Sequence, residues 1–214
     1  MSDRNSKKFI DLANVKIDLP LFNALLALKR EIKTLLPGKD FRWLDALGIR
    51  LEEPTDLENG GYYCTPINTL KFASTGMDGE HFSFLVCDNA IDSESPVILT
   101  MPCNYGGATN VVIAKSFRTF LCLGLRYGYF ALGELASNPE EAMQVYANAQ
   151  WIPTEERHFL MYVPNETQQT ILAFIANSLD LQPYTYTADE FAALQNRYVP
   201  LLSMSDEYYE ACED

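Results

Sequence analysis

Between residues 62 and 133 the chain strings together short apolar runs whose connections are too short to hold a helix, which leaves few ways to fold it. Residues 62 to 73 carry Tyr62, Tyr63, Ile67, Leu70 and Phe72, as one strand bent at Pro66 or as two short ones. Ser74 to Gly79 supply a turn, and Gly76 and Gly79 are free to take positive φ there. In the next run, His81 to Val86, alternation sets Phe82, Phe84 and Val86 on one face, so this strand is at least half buried. Val97–Met101 and Val111–Ala114 are near-continuous apolar runs, as in central strands, with a turn marked by Asn104, Gly106 and Gly107 between them. Strands this close together, with no helix intervening, predict an antiparallel meander. Ser116 then reads as the N-cap of a helix that is apolar nearly all round (Phe117, Phe120, Leu121, Leu123, Leu125), is buried on more than one side and ends at Gly128.

On either side of this centre the period changes to that of helices. Leu21, Leu25, Leu28, Ile32 and Leu35 predict a helix over residues 19 to 36, opened by Asp18 and Pro20 and closed by Pro37-Gly38. Residues 38 to 61 read as a short helical turn around Phe41, Trp43 and Leu47, followed by a polar loop ending in Asn59-Gly60-Gly61. Downstream, Asn138-Pro139-Glu140-Glu141 and Thr187 with Glu190 have the spacing of capping boxes. Ile171, Leu172, Ile175 and Leu179 predict an amphipathic helix, and residues 158 to 163 a short edge strand. The tail SDEYYEACED reads as loose and acidic. The fold class expected is α+β: a mainly antiparallel sheet of about five or six strands with helices on it. Residues 1–133 would form the core and residues 134–214 a mostly helical extension packed on it.

A chain of 214 residues buries enough surface to hold a core without disulfides or metal. Its five cysteines are odd in number and include no CxxC pair, which argues against a disulfide framework or a zinc ribbon. Cys64, Cys87 and Cys122 lie in apolar runs, as small core residues do. The net charge of −13 disfavours nucleic acid and anionic membranes and favours encounter with basic partners. With a polar start, MSDRNSKKF, and no long apolar stretch, a cytoplasmic protein is the expectation.

No catalytic constellation emerges, and neither a cofactor nor a metal is called for. His81 and Ser83 share one face of a strand, but no nucleophile elbow surrounds them, and they read as a hairpin-stabilising pair. Cys87 and Cys103 are the thiols that a cysteine hydrolase would use with His81 or His158, a lesser alternative given their apolar contexts. A metal site from Asp78, His81 and Asp88 rests on a common spacing alone. Gly76 to Gly79 has no lysine and no following helix, so it is a turn and not a phosphate loop. The carboxylates of Asp78, Glu80, Asp88, Asp92 and Glu94 all lie in or beside connections of the sheet, where a cluster of them would face a basic partner.

The runs FASTGMDGEHFSFL, PVILTM and IAKSFRTFLCLGL resemble the SUKH superfamily, which includes yeast cell-wall synthesis regulators and bacterial proteins that neutralise secreted toxins. The resemblance is carried by Phe72, Gly76, Asp78, Gly79, Phe82, Phe84, Ile113, Ala114, Ser116, Phe117, Phe120 and Leu121, over roughly residues 60 to 130. Leu19-Pro20 and Asn59-Gly60-Gly61 echo the family's leading segment at a wider spacing, and residues 134 to 214 have no counterpart in it. The resemblance implies an α+β domain that binds proteins and has no enzyme chemistry of its own, either an immunity protein blocking a basic toxin or a regulatory scaffold.

Overall fold

The structure, a computed structural model, describes residues 14–35, 47–55, 61–104, 108–147 and 164–211. In chain order the elements are β1 (Lys16–Ile17), α1 (Pro20–Leu35), β2 (Arg50–Thr55), β3 (Thr69–Ser74), β4 (His81–Leu85), β5 (Ala90–Ile91), β6 (Val97–Thr100), β7 (Asn110–Ala114) and α2 (Phe117–Tyr127). There follow α3 (Leu132–Ser137), α4 (Pro139–Ala147), α5 (Glu166–Ser178), α6 (Ala188–Tyr198) and α7 (Asp206–Ala211). The fold is α+β. Its main sheet has five antiparallel strands in the order β2-β3-β4-β6-β7, the meander that the short connections predict.

Register decides which side chains meet. Pairing Leu70 with Phe84, Phe82 with Leu99 and Leu99 with Val111 turns these residues to one face. A bulge in β3 sets both Phe72 and Ala73 against Phe82, so Phe72 also points to that face. Phe22 of α1 and Phe117 and Phe120 of α2 cover it, and the six phenyl rings pack with centroids between 4.2 and 6.5 Å apart. Ser116 caps α2 as predicted, accepting a hydrogen bond from the Thr119 amide. Buried residues of α5 (Ile171, Ile175) and α6 (Phe191, Leu194) belong to the same apolar cluster.

Residues 61–68 and the stretch after α6 lie over the opposite face. The Ile67 amide donates to the Ser203 carbonyl (2.8 Å), while the Asn68 carboxamide donates to Leu201 O and accepts from Ser203 N, both at 2.8 Å. Beyond β7, the Gln195 carboxamide accepts from the Val112 amide and donates to its carbonyl (3.1 and 2.7 Å). One side chain of α6 thus supplies a ladder rung that the sheet's last strand would otherwise leave open.

Four local expectations need correction. Arg50–Thr55, read as polar loop, is an edge strand, held by pairing with β3 despite Pro54. The strand expected from residue 62 starts only at Thr69, because residues 62–68 turn across the sheet face. Within the expected acidic loop, Asp88 and Asn89 take positive φ (50° and 56°) and form a two-residue hairpin turn, and β5 pairs in parallel with β1. Of the tail, Asp206–Ala211 forms helix α7, and residues 212–214 lie outside the described residues. Phe41, Trp43, Gly106, Gly107 and the strand expected over residues 158 to 163 lie outside the described residues. No helix among the described residues is long and apolar enough to cross a membrane.

Candidate functional site

The turn between β3 and β4 is built around one buried imidazole. His81 Nδ1 lies 2.7 Å from the Gly79 carbonyl, which can only accept, so Nδ1 carries the proton. Nε2 therefore accepts from the Thr65 hydroxyl at 3.1 Å, and that hydroxyl oxygen accepts in turn from the Tyr62 amide at 2.8 Å. Tyr62 stacks on the imidazole, with centroids 5.9 Å apart and planes 20° off parallel. Gly79, at φ 74°, passes so close under Tyr62 that a methyl group there would overlap the ring. A glycine at positive φ, a neutral histidine and an exposed tyrosine thus form one unit.

Burial holds the His81 pKa below its ordinary value. The Gly79 carbonyl and Glu52 oppose that shift, and Lys71 adds to it. In the interval between the lowered folded pKa and about 6.5, the unfolded chain binds a proton that the folded chain does not, so stability falls as pH falls through it. Denaturation midpoints at about pH 7.5 and 5.5 are expected to differ more for the native chain than for His81→Gln. Equal differences would show that His81 does not couple its proton to folding.

From Tyr62 a surface of aromatic and acidic side chains runs to the end of the described chain. Tyr62, Tyr63, Met77 and Tyr209 are 48, 43, 53 and 48% exposed, high for side chains of this size. Tyr63 stacks on Tyr208 (6.5 Å), which meets Tyr209 edge-on (5.6 Å), and the Ser205 hydroxyl donates to the Tyr63 carbonyl at 3.3 Å. Asp78, Glu80, Asp206, Glu207 and Glu210 lie along it, and the segments 61–68, 75–80 and 202–211 contain no Lys or Arg. Of the described cations beside it, Lys71 is paired with Glu52 at 2.9 Å and the Arg50 guanidinium packs on Gly76. Glu80 is half-buried and accepts from the Thr75 hydroxyl (3.2 Å). Burial pushes its carboxyl pKa up, the Thr75 bond opposes this, and Asp78 and Glu134 push it further. On the Glu134 side, Phe130 adds another exposed ring.

The five predicted acidic residues do not form one cluster. Asp78 and Glu80 sit on this surface. Asp88 and Asp92 sit beyond the far end of β4, beside Cys87, and Glu94 lines a separate groove. That groove, about 660 Å³, runs between the first turn of α2 and residues 180–184, and its charges offset: Lys115 and Arg118 against Glu94 and Asp180. Burial, Asp88 and Asp92 push the Cys87 thiol pKa up, and Arg197 opposes them. Cys87 follows His81 by six positions, about 20 Å along an extended chain. Cys64 is buried, Cys122 half-buried and Cys103 exposed. Ser83 Oγ is buried and makes no hydrogen bond, so it is not joined to His81, whose ring nitrogens are both engaged. Among the described residues no three His, Cys, Asp or Glu side chains are grouped to hold a metal ion.

The tyrosines are what the sequence pattern missed. Tyr62-Tyr63 read as strand residues and Tyr208-Tyr209 as part of a loose tail. Two Tyr-Tyr pairs in segments without a cation, the second of them rich in carboxylates, were the available signal. Compared with known proteins, the chain matches no family model, no curated protein and no solved structure.

Proposed function

We propose that this chain is a non-catalytic, cytoplasmic protein-binding module of the SUKH kind, which docks a basic protein through its tyrosine-rich acidic surface and, as an immunity protein, blocks a toxin. The observation that carries this is the juxtaposition of Tyr62, Tyr63, Tyr208 and Tyr209 with five carboxylates, on segments that themselves hold no Lys or Arg. Tyrosines supply a large contact area at low entropic cost and are frequent anchors of interfaces. Carboxylates around them steer a basic partner and reject an acidic one. Both ring nitrogens of His81 are committed to the turn, and the Cys87 thiol is pushed away from its reactive form, which fits a role in packing and docking.

The test is binding of basic toxin domains to the native chain and to a Glu207→Lys, Tyr209→Ser, Glu210→Lys variant, all three positions being exposed. Native binding should weaken steeply between low ionic strength and about 0.5 M salt, and the variant should bind at least about tenfold more weakly. Co-expression of the native chain should protect cells from the toxin that it binds. Unchanged affinity in the variant, or an absence of basic partners at low salt, would refute the proposal.

A further inference from the structure

We propose, resting on the reading above, that the small pocket beside Tyr62 is the anchor of this surface and takes the guanidinium of one arginine side chain of the partner. The pocket is about 280 Å³, and its walls include Tyr62, Lys71, Ser74, Met77, Asp78 and Glu80. Tyr62 is held in place by His81 and the Gly79 backbone, yet is half exposed, so ring surface remains for a ligand. A planar cation against such a ring gains from its quadrupole.

The charges converge on the same occupant. Asp78 and Glu80 stand two positions apart on the turn, and neither pairs with a Lys or Arg among the described residues. Lys71 also lines the pocket, but Glu52 neutralises it, and the Ser74 hydroxyl donates to the same carboxylate (2.9 Å). The Arg50 guanidinium packs on Gly76, a residue of the pocket wall, but does not itself line the pocket and is engaged with a partner of its own. His81 is neutral, its Nδ1 proton given to Gly79. Left to itself, the pocket holds carboxylates that no described Lys or Arg pairs, one of them half-buried and crowded by Asp78 and Glu134. A cation would relieve that crowding. Arginine fits better than lysine because its fork of donors can bond two carboxylates while its weakly hydrated plane lies on the tyrosine, whereas an ammonium is a strongly hydrated point charge.

The experiment titrates the full chain with N-acetyl-arginine methylamide, followed by amide chemical shifts. Its citrulline analogue, neutral and of nearly the same shape, and its lysine analogue are run beside it. The arginine probe should shift Tyr62 and residues 76–80 saturably, with citrulline at least tenfold weaker and lysine weaker than arginine. Glu80→Gln should weaken the arginine probe at least fivefold, as should Tyr62→Leu, whereas Glu94→Gln in the distant groove should leave it unchanged. Equal binding of arginine and citrulline, or full binding to Glu80→Gln, overturns the proposal, and Glu80→Gln keeps the test open should Tyr62→Leu misfold. Should the arginine probe fail while basic toxins still bind in a manner sensitive to Tyr209, Glu207 and Glu210, the anchor falls and the protein-binding role stands. Arginine bound with the stated dependence supports the anchor even where no basic toxin is captured.

Discussion

Replacing Phe72 by alanine is expected to remove about 3–5 kcal/mol of folding stability, a large part of the total of roughly 5–15 kcal/mol typical of a domain. The residue is fully buried and its ring lies at the centre of the aromatic cluster: Phe84 at 4.2 Å, Phe117 at 5.5 Å, Phe120 at 5.6 Å, Phe22 at 5.9 Å and Phe82 at 6.5 Å. Truncation forfeits the transfer of a whole phenyl group and leaves a void among neighbours fixed by two helices and the adjoining strand β4, so collapse around it is limited. Edge-to-face pairs with Phe22, Phe117 and Phe120 are lost as well, each worth about 0.5–1.5 kcal/mol, in a sum that is not additive. Urea denaturation measures the loss as a drop in midpoint at nearly constant slope. Tyr209→Ala, an exposed control, should change stability by no more than about 0.5 kcal/mol. A loss below about 1 kcal/mol at Phe72 would mean that the ring is not where the register of β3 places it.

That register was legible in outline because β3, β4, β6 and β7 have strong local signals: aromatic alternation, a glycine turn and continuous apolar runs. The sequence of β2, Arg-Leu-Glu-Glu-Pro-Thr, has none of these. It is a strand because β3 offers it a ladder, a tertiary cause that propensity cannot register. Helix α7 has no buried residue and is held by Tyr63 and Ser205, so composition alone made the tail read as loose. The site was half legible for a related reason. Asp78 and Glu80 were found because they flank a turn. In an antiparallel meander successive connections lie at opposite ends of the shared strand, so Asp88 and Asp92, one connection later, had to fall about a strand length away from them. The tyrosine surface joins residues 142 positions apart, and no window on the sequence brings Tyr63 and Ser205 together.

Gly124→Ala is expected to destabilise the chain by about 2–3 kcal/mol, the reverse of the gain of up to about 1 kcal/mol that the same change gives in an ordinary helix interior. Gly124 lies within α2, where glycine has no conformational reason to be. Its reason is Tyr129. The chain leaves α2 through Gly128, whose amide bonds back to the Gly124 carbonyl at 2.9 Å, and folds Tyr129 beneath the helix. There the ring packs on Phe120 at 5.3 Å, is 1% exposed and donates its hydroxyl to the Leu121 carbonyl at 3.3 Å. A methyl group on Gly124 would overlap that ring. At Gly79 the ring in the way is Tyr62, half exposed, and the cost there lies in the positive φ of 74° and in the shape of the tyrosine surface. At Gly124 the ring has no exit, and either the helix or the tyrosine's hydrogen bond must give. In thermal denaturation the variant should melt roughly 5–10 °C lower. The double variant Gly124→Ala, Tyr129→Ala should lose at least about 1 kcal/mol less than the sum of the two single changes, since the alanine methyl then enters the space that the ring vacates. A rise in melting temperature for Gly124→Ala, or strict additivity in the cycle, would place Tyr129 elsewhere than under α2.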